Sequence, residues 1–139
     1  MGLVYAEIKL INSDDIALNR RGYLKKEEIR EMQVTAMVDS GATMLAINEN
    51  VKNQLGLVAI YKQSAQLADG TYLDLEVVGP VEVRFENRIS TCNAMVLPGH
   101  SEILLGAIPM EEMDVLIHPK HNRLIVNPEH PIKPVVKLK

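Results

Sequence analysis

Short runs in which Val, Ile and Leu alternate with polar residues recur along this 139-residue chain, and clusters of turn-forming residues separate them. Alternation places successive side chains on opposite faces of a strand, so the pattern predicts a mostly β domain of short strands and hairpins. Residues Val4 to Leu10 alternate cleanly and open the chain as a strand, which Asn12-Ser13-Asp14-Asp15 ends. Residues 16 to 28 carry no clear period: Leu24 to Ile29 fits a helical turn, whereas Arg30 to Ala36 is extended. We read this stretch as a hairpin connection running into a second strand.

Asn48 suits a helix N-cap, Val51 and Leu55 lie four apart on one face, and Gly56 suits the stop, so one short helix is expected there. Asp69-Gly70, set between Lys62–Leu67 and Tyr72–Val77, predicts a hairpin with a type I′ turn, in which both central residues take positive φ. Gly79-Pro80 is expected to break the chain before Val81–Phe85, which pairs with Ile89–Val96 across Glu86-Asn87-Arg88. An apolar strand over Glu102–Ala107 includes Gly106, a helical turn comes next at Pro109–Met113, and Val115–His118 with Arg123–Val126 forms a last hairpin. Residues 1–126 make one domain, and 127–139, with three prolines, make an arm that is docked or partly mobile. The chain has no internal repeat and no linker.

Composition fits a soluble globular domain, at 47% hydrophobic and 24% charged residues. Net charge is -3 and the basic residues are dispersed, apart from Arg20-Arg21 and Lys25-Lys26, which argues against a nucleic-acid partner. The lone Cys92 cannot form an intramolecular disulfide, and no apolar run reaches the roughly 18 residues of a membrane span. Without a charged and then apolar leader at the N-terminus, the expectation is a cytoplasmic protein with no membrane partner.

The chemistry concentrates in Val38-Asp39-Ser40-Gly41-Ala42, entered through the apolar run Val34-Thr35-Ala36-Met37, which sets one carboxylate on a tight turn after a strand. Asp-Ser-Gly is also an ordinary turn sequence, able to close an Asx-turn without any catalytic role. Other candidates have plainer readings. His118 and His121 have a metal-like spacing, but Pro119 keeps them off a shared helix face and no third ligand is evident, so neither metal nor cofactor is expected. Cys92 reads as a half-buried strand residue, Met110 and Met113 as core, and Glu111-Glu112 and Lys25-Lys26 as solvated surface. Asp14 and Asp15, being adjacent, face different ways and cannot form a dyad.

The order of elements over residues 4–126 resembles the retropepsin-like aspartic proteases, the single-lobe family of retroviral proteases and their bacterial and cellular relatives. Val38 to Ala42 match its Asp-Thr/Ser-Gly-Ala loop, Ala68-Asp69-Gly70-Thr71 match its flap in position, and Ile103-Leu104-Leu105-Gly106 resemble the strand that passes beneath the loop. The resemblance implies a closed, barrel-like β fold with one or two short helices, and an aspartic endopeptidase acting on peptide or protein substrates. It implies that Asp39 is the catalytic carboxylate, that Ser40 bonds across a dimer axis, and that Gly41 brings its N–H to the carboxylates. Ala42 would line the substrate groove, and the backbone of Ala68, Asp69, Gly70 and Thr71 would hydrogen-bond an extended peptide.

Such chemistry needs two carboxylates sharing one proton, since like charges about 3 Å apart cannot both ionise. A second Asp-Ser/Thr-Gly is absent, and in Asp69-Gly70-Thr71 the glycine is misplaced, so the second carboxylate would come from the partner of a two-fold homodimer. Three features depart from the retroviral pattern: serine at 40, one flap glycine, and Ala107-Ile108 where retroviral enzymes place an arginine that helps hold the dimer. The bacterial and cellular branch is the closer likeness. A non-catalytic module using the same groove or flap edge for peptide binding or dimerisation is the contrasting reading.

Overall fold

The computed structural model describes residues 2–138. Strand β1 (Tyr5–Asn12) lies antiparallel to β2 (Glu31–Val38), with Tyr5 opposite Met37 and Ile11 opposite Glu31. The sheet continues from β2 to β7 (Ile103–Leu105), β3 (Leu45–Asn48), β6 (Arg88–Leu97) and β5 (Tyr72–Phe85), and the second half of β5 returns to β1, Asn12 opposite Val81. Six strands thus close into a barrel. Closure satisfies every neighbour within the ring and leaves β4 (Ala59–Gln66) as the exposed outer arm of a hairpin with the first half of β5.

The alternation has its expected cause. Ala6, Ile8 and Leu10 of β1 turn inward, as do Val34, Ala36 and Val38 of β2, and they meet Leu45, Ile47, Val81, Val83 and Leu105 in one core. The domain is mostly β, with three short α-helices where one or two were expected.

The additional helix is α1 (Ser13–Arg20), in the stretch expected to be a plain hairpin connection. Asn12 does more than end β1: its Oδ1 accepts the Asp15 N–H at 3.0 Å as the helix N-cap, and its Nδ2 donates to the Leu55 carbonyl at 2.8 Å. Asp15 is 3% exposed and receives both Nε and Nη2 of Arg30 at 2.9 Å, a fork that holds its carboxyl below the usual range. The same guanidinium covers Gly56, where a Cβ would sit 1.8 Å from Nη1. These contacts tie α1, the start of β2 and the end of α2 (Glu49–Leu55) together. Helix α2 itself is as expected: the Asn48 side chain caps Val51 N–H, and Gly56 closes it at φ 62°.

Two turn expectations are corrected. Gly79-Pro80 does not break the chain; β5 runs through it with a bulge between Val78 and Val81. Gly79 bends there at φ 143°, and a Cβ would lie 2.8 Å from Asn93 Oδ1, so the position needs glycine twice over. The bend lets one strand serve β4 with its first half and β1 with its second.

The hairpin at Asp69-Gly70 forms, but with a three-residue connection instead of a type I′ turn. Only Gly70 has positive φ, at 89°, while Gly70 N–H bonds the Leu67 carbonyl and Leu67 N–H bonds that of Thr71. The Asp69 side chain accepts from Thr71 N–H at 3.0 Å and its hydroxyl at 2.6 Å, fixing an Asx-turn at the tip.

Helix α3 (Ala107–Met113) buries Met110 and Met113, and β8 (Val115–His118) pairs with β9 (Arg123–Val126) as expected. The arm after β9 is docked by polar contacts. Asp114, itself at φ 54°, accepts from Asn127 Nδ2 at 3.0 Å, His130 Nδ1 at 2.6 Å and Val135 N–H at 3.0 Å. Among the described residues, no helix is long and apolar enough to cross a membrane.

Candidate functional site

Strand β2 carries Asp39 to the barrel end, and backbone bonds from two sides fix the loop that it opens. Asp39 N–H donates to the Leu105 carbonyl at 3.0 Å, and Ala42 N–H returns to the Asp39 carbonyl at 3.1 Å. Ala107 and Ile108, opening α3, donate to Ala42 and Thr43 carbonyls at 2.8 and 2.9 Å. Gly106 must be glycine for this: a Cβ there would stand 2.3 Å from the Met44 carbonyl oxygen and 2.8 Å from that of Ala42. The strand expected to pass beneath the loop does so, in contact with its backbone.

Gly41 donates its N–H to Asp39 Oδ1 at 2.9 Å, and a Cβ on it would approach the same oxygen to 3.2 Å. The half-buried carboxylate opens on a groove of about 1090 Å³. Met44, Leu45, Ala46 and Leu104 form its floor, Tyr61, Gln63 to Ala68 and Leu75 of the flap hairpin its roof, and Thr91, Asn93, Met95 and Leu97 of β6 one wall. Asp39 is the only charged side chain among the described residues that line it. The carboxylate thus stands in an otherwise neutral, partly apolar cleft, the setting of a binding pocket with few placed polar groups.

Of the residues singled out from sequence, Asp39, Gly41, Ala42 and Ala68 line this groove together. Ser40 is exposed beside it, and Asp69, Gly70 and Thr71 form the exposed flap tip beyond its lining. The Thr71 bonds hold the Asp69 carboxyl below its ordinary value. Sequence reasoning read Lys62–Leu67 as an arm of the flap hairpin, which is the part of β4 that roofs the groove, and passed over the floor supplied by β3. The alternation Thr91, Asn93, Met95 was the one available signal for the wall, since these face away from the buried Ser90, Ala94 and Val96.

Cys92 also reaches the groove; burial, and then the neighbouring Glu112 charge, pushes its thiol up to about 12, which leaves it an inert thiol at neutral pH. The His118 ring accepts the N–H groups of Lys120 and His121 at 3.1 Å each, so it caps its own turn, with the His121 ring 4.6 Å away centre to centre. Among the described residues no group of three or more His, Cys, Asp or Glu could hold a metal ion.

The family model that matches describes an aspartyl protease and covers residues 27–108, from the approach to β2 through the start of α3. Among solved structures, the chain is similar to the retroviral protease-like domain of Ddi1 from Leishmania major, with a TM-score of 0.56 at 17% identity, covering 92% of this chain and 90% of that one. None of the curated proteins matches the chain by sequence.

Proposed function

Because the chain belongs to the aspartyl protease family and has a retropepsin-like fold, we propose that it is a homodimeric aspartic endopeptidase whose site is completed by Asp39 of a second copy. The observation that carries this reading is the setting of Asp39: held through its backbone by Leu105, bonded by Gly41 N–H, and facing the groove as the only charged side chain among the described residues that line it. One such carboxylate per chain is half of the chemistry. In an isologous dimer the two loops meet at the axis, and the pair shares one proton.

The ionised member then takes a proton from water as it attacks the peptide carbonyl carbon, while the protonated member donates to the carbonyl oxygen. Collapse of the tetrahedral species passes a proton to the leaving nitrogen and restores the pair. Gly41 N–H supports the ionised oxygen through both steps. Ser40, exposed in the same loop, is assigned the bond across the dimer axis. The flap, with Ala68 inside the groove and Asp69 to Thr71 at its tip, covers an extended peptide of several residues. We place this activity in the cytoplasm and assign it no cofactor.

Cleavage of a diverse peptide library by wild type and Asp39→Asn, with sedimentation of the same samples, tests the proposal. Turnover that requires both Asp39 and the dimer, and disappears at alkaline pH where the shared proton is lost, is the expected result. A well-folded Asp39→Asn protein that still cleaves would sink the mechanism. A wild type that stays monomeric at high concentration and cleaves nothing would favour the binding-module reading.

A further inference from the structure

Away from the groove, Arg88 opens β6 with its side chain fully buried, at 0% exposure. Of its five N–H donors, one on Nη2 bonds the His130 carbonyl of the arm, while Nε and Nη1 have no acceptor among the described residues. Ser90 Oγ, on the same inward face two residues along, is likewise buried without a partner. A buried cation without a counter-charge is costly, and folds keep one where something compensates it. No carboxylate forms an ion pair with Arg88 among the described residues.

A shallow cavity of about 350 Å³ is lined by Glu86, Asn87, Val126, Asn127, Pro128 and Pro131, while Arg88 itself stays out of its lining. These residues are chain neighbours of Arg88 in the hairpin and of His130 in the arm, and the Arg88–His130 bond joins the two segments that line the cavity. Polar bonds fasten the arm there: Asp114 to Asn127, His130 and Val135, and Asn87 Nδ2 to the Pro131 and Ile132 carbonyls at 2.9 and 3.2 Å. Its apolar side chains do not dock, Ile132 being 85% and Leu138 93% exposed. A strap without a hydrophobic anchor is drawn from the readily opened end of the stability range.

We propose that this cavity is the entrance to an oxyanion site, in which Arg88 grips a phosphate or carboxylate group once the His130 carbonyl swings aside. The guanidinium fork matches either ligand with two parallel bonds, and the ligand supplies the missing counter-charge. Glu86 stands on the rim as an exposed carboxylate and opposes the ligand.

The test uses the full chain with inorganic phosphate, sulfate or acetate, each against chloride at equal ionic strength. The thermal midpoint of wild type rises by about 5 °C when the effective anion is tenfold above its Kd. Arg88→Met loses that response and Glu86→Gln strengthens it. A response to phosphate and sulfate alone assigns a tetrahedral ligand, and a response to acetate alone assigns a carboxylate. Should Arg88→Met fail to fold, the Arg88 Nε–H NMR signal of wild type, identified with Arg88→Lys, moves on titration. An equal anion response in wild type and Arg88→Met, or an Arg88 Nε–H signal unmoved by all three anions, overturns the proposal.

Discussion

The loop that bears Asp39 and the flap that roofs the groove are both turns between strands, yet they are held in opposite ways. The loop is bonded from β7, from its own backbone and from the start of α3, and it is packed so closely on Gly106 that no side chain fits between them. The flap is bonded along β4 and β5, with β4 exposing nearly all of its side chains and β5 its first three, and nothing lies within 4 Å of where a Cβ on Gly70 would stand. Fixity is concentrated at the carboxylate to which the proposed chemistry is assigned. Freedom is left in the flap, under which the proposed substrate would enter and leave.

Gly106→Ala gives the largest effect expected from this contrast. Its methyl meets backbone oxygens, which cannot rotate away, so stability falls by about 3 kcal/mol or more, seen as a collapse of the denaturant midpoint. A variant of near wild-type stability would show that the loop yields as easily as the flap.

Next in size is acid release of the arm, which like the flap is held at few points. The Asn127 bond, followed by those from Val135 and His130, pulls the Asp114 carboxyl down to about 2. A depressed carboxyl stabilises the docked state above its unfolded value of about 3.9 and loses that contribution as pH falls toward 2. Exchange protection of the Val135 amide is therefore expected to vanish across that window while the Asp39 amide stays protected. Simultaneous loss of both would merge arm and loop into one unit.

The smallest effect belongs to Gly70→Ala. It meets no atoms and pays only for φ 89°, so about 1 kcal/mol is lost, with the change confined to the flap in an NMR comparison. A loss as large as that of Gly106→Ala would mean the flap is as constrained as the loop.

Legibility in the amino-acid sequence tracked how local each element's cause was. Helix α2 announced itself through Asn48, Val51, Leu55 and Gly56 because caps and period lie within one turn of one another. The last hairpin and the glycine-terminated strand were legible for the same reason. Helix α1 was not: it buries an acid, Asp15, and exposes Leu18, so its stability comes from Asn12 and Arg30 rather than from an apolar face. Strand β3 is four residues long and pairs with β6 and β7, far along the chain, which leaves no local mark. Gly79-Pro80 looked like a break because its compensation, the pairing of β5 on both sides of the bend, is supplied by other strands. At the site, Asp39 with Gly41 and Ala42 was legible, as was the flap hairpin around Asp69-Gly70, because turn residues and flanking arms are local; the floor from β3 was not.

The bond from Asp39 N–H to the Leu105 carbonyl joins two residues far apart along the chain, Asp39 being made first. A growing chain carries the Asp-Ser-Gly sequence long before β7 exists to fix it, and long-range pairings of this kind close slowly. The carboxylate of an unfinished chain therefore has no set position and no neighbouring groove wall. Under the activity proposed for Asp39, hydrolytic competence therefore waits until β7 has been made.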